Sequence, residues 1–328
     1  MADLAATAPH RRLWTPTRIL VALGVLTLAA IVLFMTLRAR GSWDFVLPFR
    51  GRKIWGMALA GYAIAVSTVL FQTITHNRIL TPAIMGFDWL YRLVQTLLVF
   101  FLGGLAFAMI DPQLRFVMDV VVMAGLSSLM FRWLFTSTSR SLHLLVLVGI
   151  VFGVLFRSLA GLLQRLINPN DFAVLQDANF ASFNAIDPTL LLASSVLMLL
   201  VSLPLVTLIP RLDVLSLGRE AAIGLGVDYA RTVSLVLVIV AVLVSVSTAL
   251  VGPVLFFGLL VSNLAYLIMP TYRHIHILPA AVLLAILSLV GGQAILEHVF
   301  GFDTALAIII EFAGGIVFLA LLLRGAAR

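Results

Sequence analysis

The sequence predicts an all-α integral membrane protein with about ten transmembrane helices and both termini in the cytoplasm. Apolar residues make up 62% of the 328 residues, charged residues only 11%, and the mean hydropathy is +1.16. A soluble domain carries about 25% charged residues, so this chain has too little polar surface to cover a globule in water. No polar linker divides residues 1–328, which are therefore predicted to form a single transmembrane domain.

Uncharged or nearly uncharged stretches predict where the helices cross the membrane. A helix needs about 20 mostly apolar residues to cross a bilayer core of about 30 Å. The run between Arg231 and Arg273 has no charge and is too long for one crossing, so Gly252-Pro253 is predicted to divide it into two spans. The other predicted spans are 19–37, 54–75, 93–110, 116–135, 142–163, 188–210, 277–296 and 304–323.

Basic residues at both ends of the chain predict its orientation. They are Arg11, Arg12 and Arg18 before the first span, and Arg324 and Arg328 after the last. Positive charge favours the cytoplasmic side, and an even number of spans returns the chain to the side where it began. Residues 1–18 are therefore predicted to be a cytoplasmic N-terminus. The membrane also explains the net charge of +7, so no nucleic-acid partner is expected.

The first predicted outside loop, between the spans 19–37 and 54–75, is unusually basic. It contains Arg38, Arg40, Arg50, Arg52 and Lys53. These side chains could anchor the protein to lipid head groups, or they could form a docking surface for an acidic partner outside the membrane. The sequence statistics favour neither interpretation.

Several kinds of chemistry are excluded by the sequence. There is no cysteine, so disulfides and cysteine-based sites are ruled out. The phosphate-binding pattern GxxxxGK[ST] is missing, because the single lysine, Lys53, follows Arg52; ATP cannot be bound by that route and no cofactor is expected in this chain. His274 and His276 lie two residues apart and are a weak candidate for a metal site. No catalytic residues are predicted.

Charged and small residues inside the spans leave two interpretations open. Asp88 and Arg92, four residues apart, could form an ion pair on one helix, and Glu311 must face the protein interior or water because a charge in lipid is costly. Either set could be structural or could line a transport pathway. Gly149 and Gly153 have the spacing of a close helix contact.

The segment 213–229, DVLSLGREAAIGLGVDY, is too polar to cross the membrane. Its alanines, leucines and glycines predict a short helix, a turn and another short helix on the cytoplasmic face. Such an element could be packed for its own sake, or it could be the surface that a cytoplasmic partner grips.

The stretch LGREAAIGLGV at 217–227 resembles the coupling-loop motif of the iron-siderophore and cobalamin ABC importer permeases of the FecCD type. The motif's glycine, alanine and Leu-Gly pair are matched by Gly218, Ala222, Leu225 and Gly226. Upstream, FRGRKIWGMALAGYAIAVSTVLFQTITHNRILTPAIMGFD at 49–88 resembles the family's second span and the Asn-Pro-Leu-Ala-x-Pro type of loop that follows it. Downstream, VGPVLFFGLLVSNLAYL at 251–267 resembles the family's Gly-Phe-x-Gly-Leu-x-x-Pro-His stretch.

The chain departs from the family pattern at several positions. The family's Pro-His is Ser262-Asn263, a conserved glycine is Leu255, and the arginine that follows is Tyr266. In the asparagine loop the family's Asn-Pro has become Asn77-Arg78. These departures suggest a diverged member of an unequal pair of permeases.

The resemblance implies a ten-span permease of the bacterial inner membrane that imports iron(III)-siderophore complexes. It implies that the permease pairs with a second, paralogous permease, with two ATPase subunits that bind the ATP, and with a periplasmic or lipid-anchored substrate-binding protein. For ATPase coupling it implies Gly218, Ala222, Leu225 and Gly226, to which Arg219 and Glu220 are added from their charges. For docking of the binding protein it implies Arg50 and Lys53, with Arg52 added from its charge, and for a cytoplasmic gate Asn77 and Ile79.

Two other functions compete with this interpretation. An ion-coupled secondary transporter of a small solute would use Glu311 and the Asp88–Arg92 pair, but it would not explain a coupling-type segment. A multi-span enzyme or scaffold has no catalytic constellation in this sequence to support it.

Overall fold

The structure is a computed structural model that describes residues 15–38, 42–137, 142–184, 186–299 and 306–326. Within these ranges the chain forms α-helices, one 3-10 turn and loops, and no β-strand, so the predicted all-α fold is confirmed. Most of the predicted cytoplasmic N-terminus lies outside the described residues. The same is true of the basic residues Arg11, Arg12, Arg40 and Arg328.

The helices follow one another through short connections. In chain order they are α1 (Pro16–Thr36), α2 (Trp43–Thr75), α3 (Phe87–Leu102), α4 (Gly104–Ala108), α5 (Pro112–Ser137), α6 (Leu142–Gln164), α7 (Pro169–Asn179), α8 (Pro188–Ser202), α9 (Leu205–Leu215), α10 (Arg219–Gly224), α11 (Tyr229–Val251), α12 (Phe257–Ile268), α13 (His274–His298) and α14 (Leu306–Ala326), with a 3-10 turn at Pro82–Met85.

Six described helices contain a stretch long and apolar enough to cross a membrane, namely α1, α2, α5, α6, α11 and α13. The pair α8 and α9 passes the same test as one span that is bent by 54°. Helices of this kind satisfy their backbone hydrogen bonds internally, which is what the hydrocarbon core demands. The protein is therefore a multi-pass membrane protein.

The segment before the second span was predicted to be a basic loop, and this prediction is wrong because most of it is helical. Helix α2 begins at Trp43, so Arg50, Arg52 and Lys53 lie within a helix. Aromatic and apolar residues in 43–49 extend the helix, although Pro48 lies inside it and removes one backbone hydrogen bond.

Three breaks shape the other spans. The predicted break at Gly252-Pro253 is confirmed: Gly252 has φ +93°, and a Cβ there would lie 2.9 Å from Ala181 Cα. The predicted span 188–210 bends at Pro204, which has no N–H to continue the helix. The predicted span 93–110 is two helices, α3 and α4, separated by Gly103 at φ +80°.

Helix α2 lies at the centre of the bundle, packed against α11 and α13. Small residues allow this close approach: a Cβ on Gly61 would lie 3.3 Å from Ala285 Cβ of α13, and one on Gly258 of α12 would collide with the Thr68 hydroxyl. The predicted contact at Gly153 is also confirmed, since a Cβ there would lie 3.0 Å from Gly86 Cα. Its partner is the turn before α3 rather than another long helix.

The N-terminal half of α2 is fastened to α1 and α13 by its basic residues. Lys53 Nζ lies 2.8 Å from Glu297 Oε1, with only 5% and 9% of the two side chains exposed. Arg50 donates to the backbone carbonyls of Phe34 and Leu37, at 2.6 and 2.9 Å. These carbonyls belong to the end of α1, where carbonyls lack partners within their own helix and attract a positive charge.

The buried ion pair predicts a specific stability effect. Lys53→Met should destabilise the protein by about 3–5 kcal/mol, because it leaves the Glu297 carboxylate uncompensated in an apolar site. The double variant Lys53→Met/Glu297→Met should recover much of this loss. Thermal unfolding in detergent measures both, with Arg52→Met as the control at an exposed neighbour. A wild-type midpoint for Lys53→Met would show that the pair does not hold α2 to α13.

Candidate coupling and gate sites

The segment 213–229, called the coupling segment from here on, leaves the helix bundle as a single short helix between two glycine turns. Helix α9 ends at Leu215, and Gly218, at φ +105°, redirects the chain into α10. Only one short helix forms, instead of the predicted two, because α11 begins directly at Tyr229.

Gly226 ends α10 with a specific set of hydrogen bonds. Its N–H donates to the carbonyl of Ile223, and the N–H of Val227 donates to the carbonyl of Ala222, both at 3.0 Å. This is the pattern of a helix end whose next residue is left-handed, and Gly226 has φ +81°. A Cβ at Gly226 would meet nothing within 4 Å, so glycine is needed here for its backbone conformation and not for space.

Helix α10 presents apolar side chains outward from one buried anchor. Ala222 is fully buried, whereas Ile223 is 53% exposed and Leu225 is 64% exposed. Arg219 and Glu220 are also exposed, and the Arg219 guanidinium lies 5.8 Å from the centre of the Tyr229 ring. Exposed apolar residues flanked by charges are the composition of a surface that binds another protein.

The loop 76–81, called the gate loop from here on, follows the end of α2. His76 adopts a left-handed conformation that ends the helix. The Asn77 Oδ1 accepts a hydrogen bond from the Ile79 N–H at 2.9 Å, which folds the loop locally. Ile79 is 49% exposed. Asn77 therefore shapes the loop, while the Ile79 side chain points away from the protein interior.

Arg78 holds the gate loop against α12 and the connection that follows it. Its carbonyl accepts from Gln72 Nε2 at 2.7 Å and from Asn263 Nδ2 at 3.2 Å. Its guanidinium lies 4.5 Å from the centre of the Tyr266 ring and 5.4 Å from that of Tyr272, within the range of cation–π attraction. Three departures from the family pattern, at residues 78, 263 and 266, thus meet at one place.

A cavity of about 490 Å³ separates the coupling segment from the gate loop. Its lining residues come from the end of α2, the gate loop, the coupling segment, α12 and the start of α13: Gln72, Thr73, His76, Arg78, Ser216, Leu217, Tyr266, Tyr272 and His274. The two predicted sites are therefore neighbours, although residues 77 and 218 are far apart in sequence.

The predicted docking residues lie elsewhere on the molecule. Arg52 and Thr73 are separated by most of the length of α2, roughly 30 Å at 1.5 Å per residue. Arg52 is exposed, whereas Arg50 and Lys53 are engaged with α1 and α13. Nothing in the local sequence distinguishes the three side chains, because the partners of Arg50 and Lys53 are distant in the chain.

The charged residues inside the spans do not pair as predicted, and the buried Oδ2 of Asp88 has no hydrogen-bond partner among the described residues. Asp88 and Arg92 do not form the predicted ion pair: among the described residues, the ion pairs within 4 Å are Lys53–Glu297 and His274–Asp213. The Arg92 guanidinium instead lies 5.5 Å from the centre of the Trp89 ring. Glu311 is hydrogen-bonded to the backbone of Leu255, which ties α14 to the break between α11 and α12.

One helix and several residues that contact the predicted sites could not be recognised from the sequence. Helix α7 was not predicted because its polar sequence resembles a loop. Glu297, Asn263 and Tyr272 carry no local signal, since each acts on a residue far away in the chain. The weak candidate for a metal site, His274 with His276, has another arrangement: both ring nitrogens of His274 are engaged, by Asp213 and Thr73.

Comparisons with known proteins agree with this architecture. The FecCD transport family matches residues 16–324. The petrobactin import system permease protein YclO of Bacillus subtilis (strain 168) is 47% identical over 87% of this chain and 90% of its own length. The petrobactin import system permease protein FatC of Bacillus anthracis is 35% identical over 96% of this chain and 89% of its own length.

A solved structure described as an inward-facing metal-chelate type ABC transporter has the same fold. It superposes with a TM-score of 0.80 over 94% of this chain and 99% of its own, at 24% identity. Because the family match extends over nearly the whole chain, including α2, the gate loop and the coupling segment, the protein belongs to the FecCD transport family.

Proposed function

We propose that this chain is the transmembrane permease subunit of an ATP-driven importer for iron(III)-siderophore complexes. Two relatives at 47% and 35% identity are named for the import of petrobactin, a siderophore. The observation that carries the proposal is the coupling segment: the chain has no nucleotide-binding motif, yet it exposes a short helix with apolar and charged side chains where a partner can bind.

The importer contains further subunits that this chain needs. Two ATPase subunits bind and hydrolyse ATP on the cytoplasmic side, so this chain needs no cofactor of its own and is not an enzyme. A second, paralogous permease completes the pathway, and a periplasmic or lipid-anchored binding protein delivers the substrate. The whole assembly sits in the lipid of the bacterial inner membrane and binds no nucleic acid.

The permease crosses the membrane ten times with both termini in the cytoplasm. The spans beyond the six long helices and the bent pair are α3 with α4, the short helix α12 and α14. Helix α12 covers roughly 18 Å at 1.5 Å per residue, and the non-helical residues 252–256 before it supply the remaining depth. The coupling segment and the gate loop then face the cytoplasm, and Arg52 faces outward.

The ATPase binds α10, and the turn at Gly226 fixes the position of the C-terminal end of α10. Gly226→Leu should preserve membrane insertion and subunit assembly but abolish the stimulation of ATP hydrolysis by substrate and binding protein. A left-handed conformation costs a residue with a side chain roughly 1–2 kcal/mol, so the turn should rearrange and move α10. ATP hydrolysis by the purified complex, with and without loaded binding protein, measures the effect.

Gly224→Leu is the matched control, because Gly224 also has open space around a Cβ but is helical with a negative φ. It should retain most of the stimulation. Normal stimulated hydrolysis in an assembled Gly226→Leu complex would mean that the force enters elsewhere.

Arg52 docks the acidic face of the binding protein from the outer end of α2. Arg52→Glu should slow association of the binding protein several-fold and reduce the dependence of that rate on salt, since exposed charges mainly steer encounter. The change in affinity should be small, because an exposed pair contributes about 0.2–1 kcal/mol. Binding to nanodisc-embedded complex, measured at two ionic strengths, tests this.

Arg52→Gln should have an intermediate effect. If the association rate of Arg52→Glu at low salt equals that of the wild type, Arg52 does not dock the binding protein and only anchors α2 to lipid head groups.

The Ile79 side chain closes the cytoplasmic end of the pathway between transport cycles, and Asn77 holds the loop that carries it. Ile79→Ala should increase the ATP-independent leak of substrate from preloaded vesicles, because the exposed side chain is shortened without disturbing the loop. Asn77→Ala should also leak, whereas Asn77→Asp should not, since aspartate keeps the acceptor for the Ile79 N–H. Wild-type leak rates in both alanine variants would exclude a gate here.

A further inference from the structure

A continuous chain of hydrogen bonds joins the coupling segment to the last turn of α2. Asp213, at the start of the coupling segment, accepts with one oxygen, Oδ1, from both the backbone N–H and the ring Nδ1–H of His274, at 2.8 and 2.6 Å. The other ring nitrogen, Nε2, lies 2.7 Å from the Thr73 hydroxyl of α2. Three segments that are distant in sequence therefore meet at the His274 ring.

The bonds between Asp213 and His274 have a defined direction. A carboxylate can only accept, so the Nδ1–H of His274 must donate to Asp213. His274 is the first residue of α13, and Asp213 therefore also satisfies an N–H at a helix N-terminus, where negative charge is favourable. The His274 side chain is only 3% exposed, whereas the Asp213 side chain is 28% exposed.

The chain continues from Thr73 and His274 into the gate loop by two routes. The Thr73 carbonyl accepts from the His76 N–H, and Gln72, beside Thr73, donates to the Arg78 carbonyl. The other route runs through the connection before α13, where Tyr272 packs on the Arg78 guanidinium.

The hydrogen bonds of His274 lie beside the cavity of about 490 Å³. Ser216 and Leu217 of the coupling segment line this cavity together with His76 and Arg78 of the gate loop. The apolar side chains of α9 also pack on α2 and α13, but such contacts have no direction and allow helices to slide. Hydrogen bonds of 2.6–2.8 Å fix both distance and angle.

We infer that His274 is the positioning residue through which movement of the coupling segment reaches the gate loop. When a partner displaces α10 and the end of α9, Asp213 carries the start of α13 and, through the His274 ring, the last turn of α2. The gate loop then moves, because it is attached both to the end of α2 and, through Arg78, to the connection before α13. This inference rests on the proposed function, because it assigns a route to the ATPase-driven movement.

Two substitutions break the same link by different means. His274→Asn keeps a donor close to the position of Nδ1, and so the bond to Asp213, but no longer reaches Thr73. Thr73→Val removes the hydroxyl at nearly constant volume. In each variant the partner subunits should assemble and the loaded binding protein should still stimulate ATP hydrolysis. The substrate imported per ATP should fall by about 5- to 150-fold, the usual range for coupling between two sites.

The double variant His274→Asn/Thr73→Val should be no worse than the stronger single variant, because both remove one shared interaction. His276→Asn is the matched control: it is a histidine in the same turn of α13, and its Nδ1 has no hydrogen-bond partner. It should import substrate with wild-type stoichiometry.

The measurements are ATP hydrolysis, substrate uptake and thermal midpoint of the same reconstituted complexes. Wild-type uptake per ATP in His274→Asn and Thr73→Val would overturn the inference. So would a parallel loss of hydrolysis, uptake and midpoint, which would assign His274 a packing role only. Failure of the proposed function is distinguishable, because the wild-type complex itself would then show no ATP-driven uptake.

Discussion

The close packing of α2 against α11 and α13 is the constraint on which the rest of the structure depends. Small residues such as Gly61 and Ala285 let the helix axes approach until backbones nearly touch. In lipid there is little hydrophobic force between helices, so this contact area and a few polar links must hold the bundle together. The Lys53–Glu297 pair and the Thr73–His274 bond are such links, one near each end of α2.

The two ends of α2 have different surroundings. Near one end, Arg50 and Lys53 contact α1 and α13, whereas Arg52 is exposed. Near the other, α2 runs directly into the gate loop, which is also held by residues where this chain departs from its family, Arg78 among them. Three of these departures, at residues 78, 263 and 266, therefore form one set of contacts.

Sequence reasoning succeeded where the signal was local and failed where a partner was distant. The break at Gly252-Pro253 and the turn at Gly226 were predictable, because proline and glycine act on their own backbone. The start of α2 at Trp43 was not, since charged residues suggested a loop while the neutralising Glu297 lies 244 residues away. His274 was considered only beside His276, although its partners lie in α9 and α2.

In the proposed importer, energy enters this chain through a protein contact and not through an ion gradient. Asp88 and Glu311 are the groups that an ion-coupled carrier would use, and the buried Oδ2 of Asp88 has no hydrogen-bond partner among the described residues, so the two energy sources call for a direct test. The most direct measurement is uptake of ferric siderophore into proteoliposomes holding this chain with its partner permease, ATPases and binding protein. Uptake should require ATP and should persist when proton and sodium gradients are abolished. Gradient-driven uptake without the ATPases would contradict it.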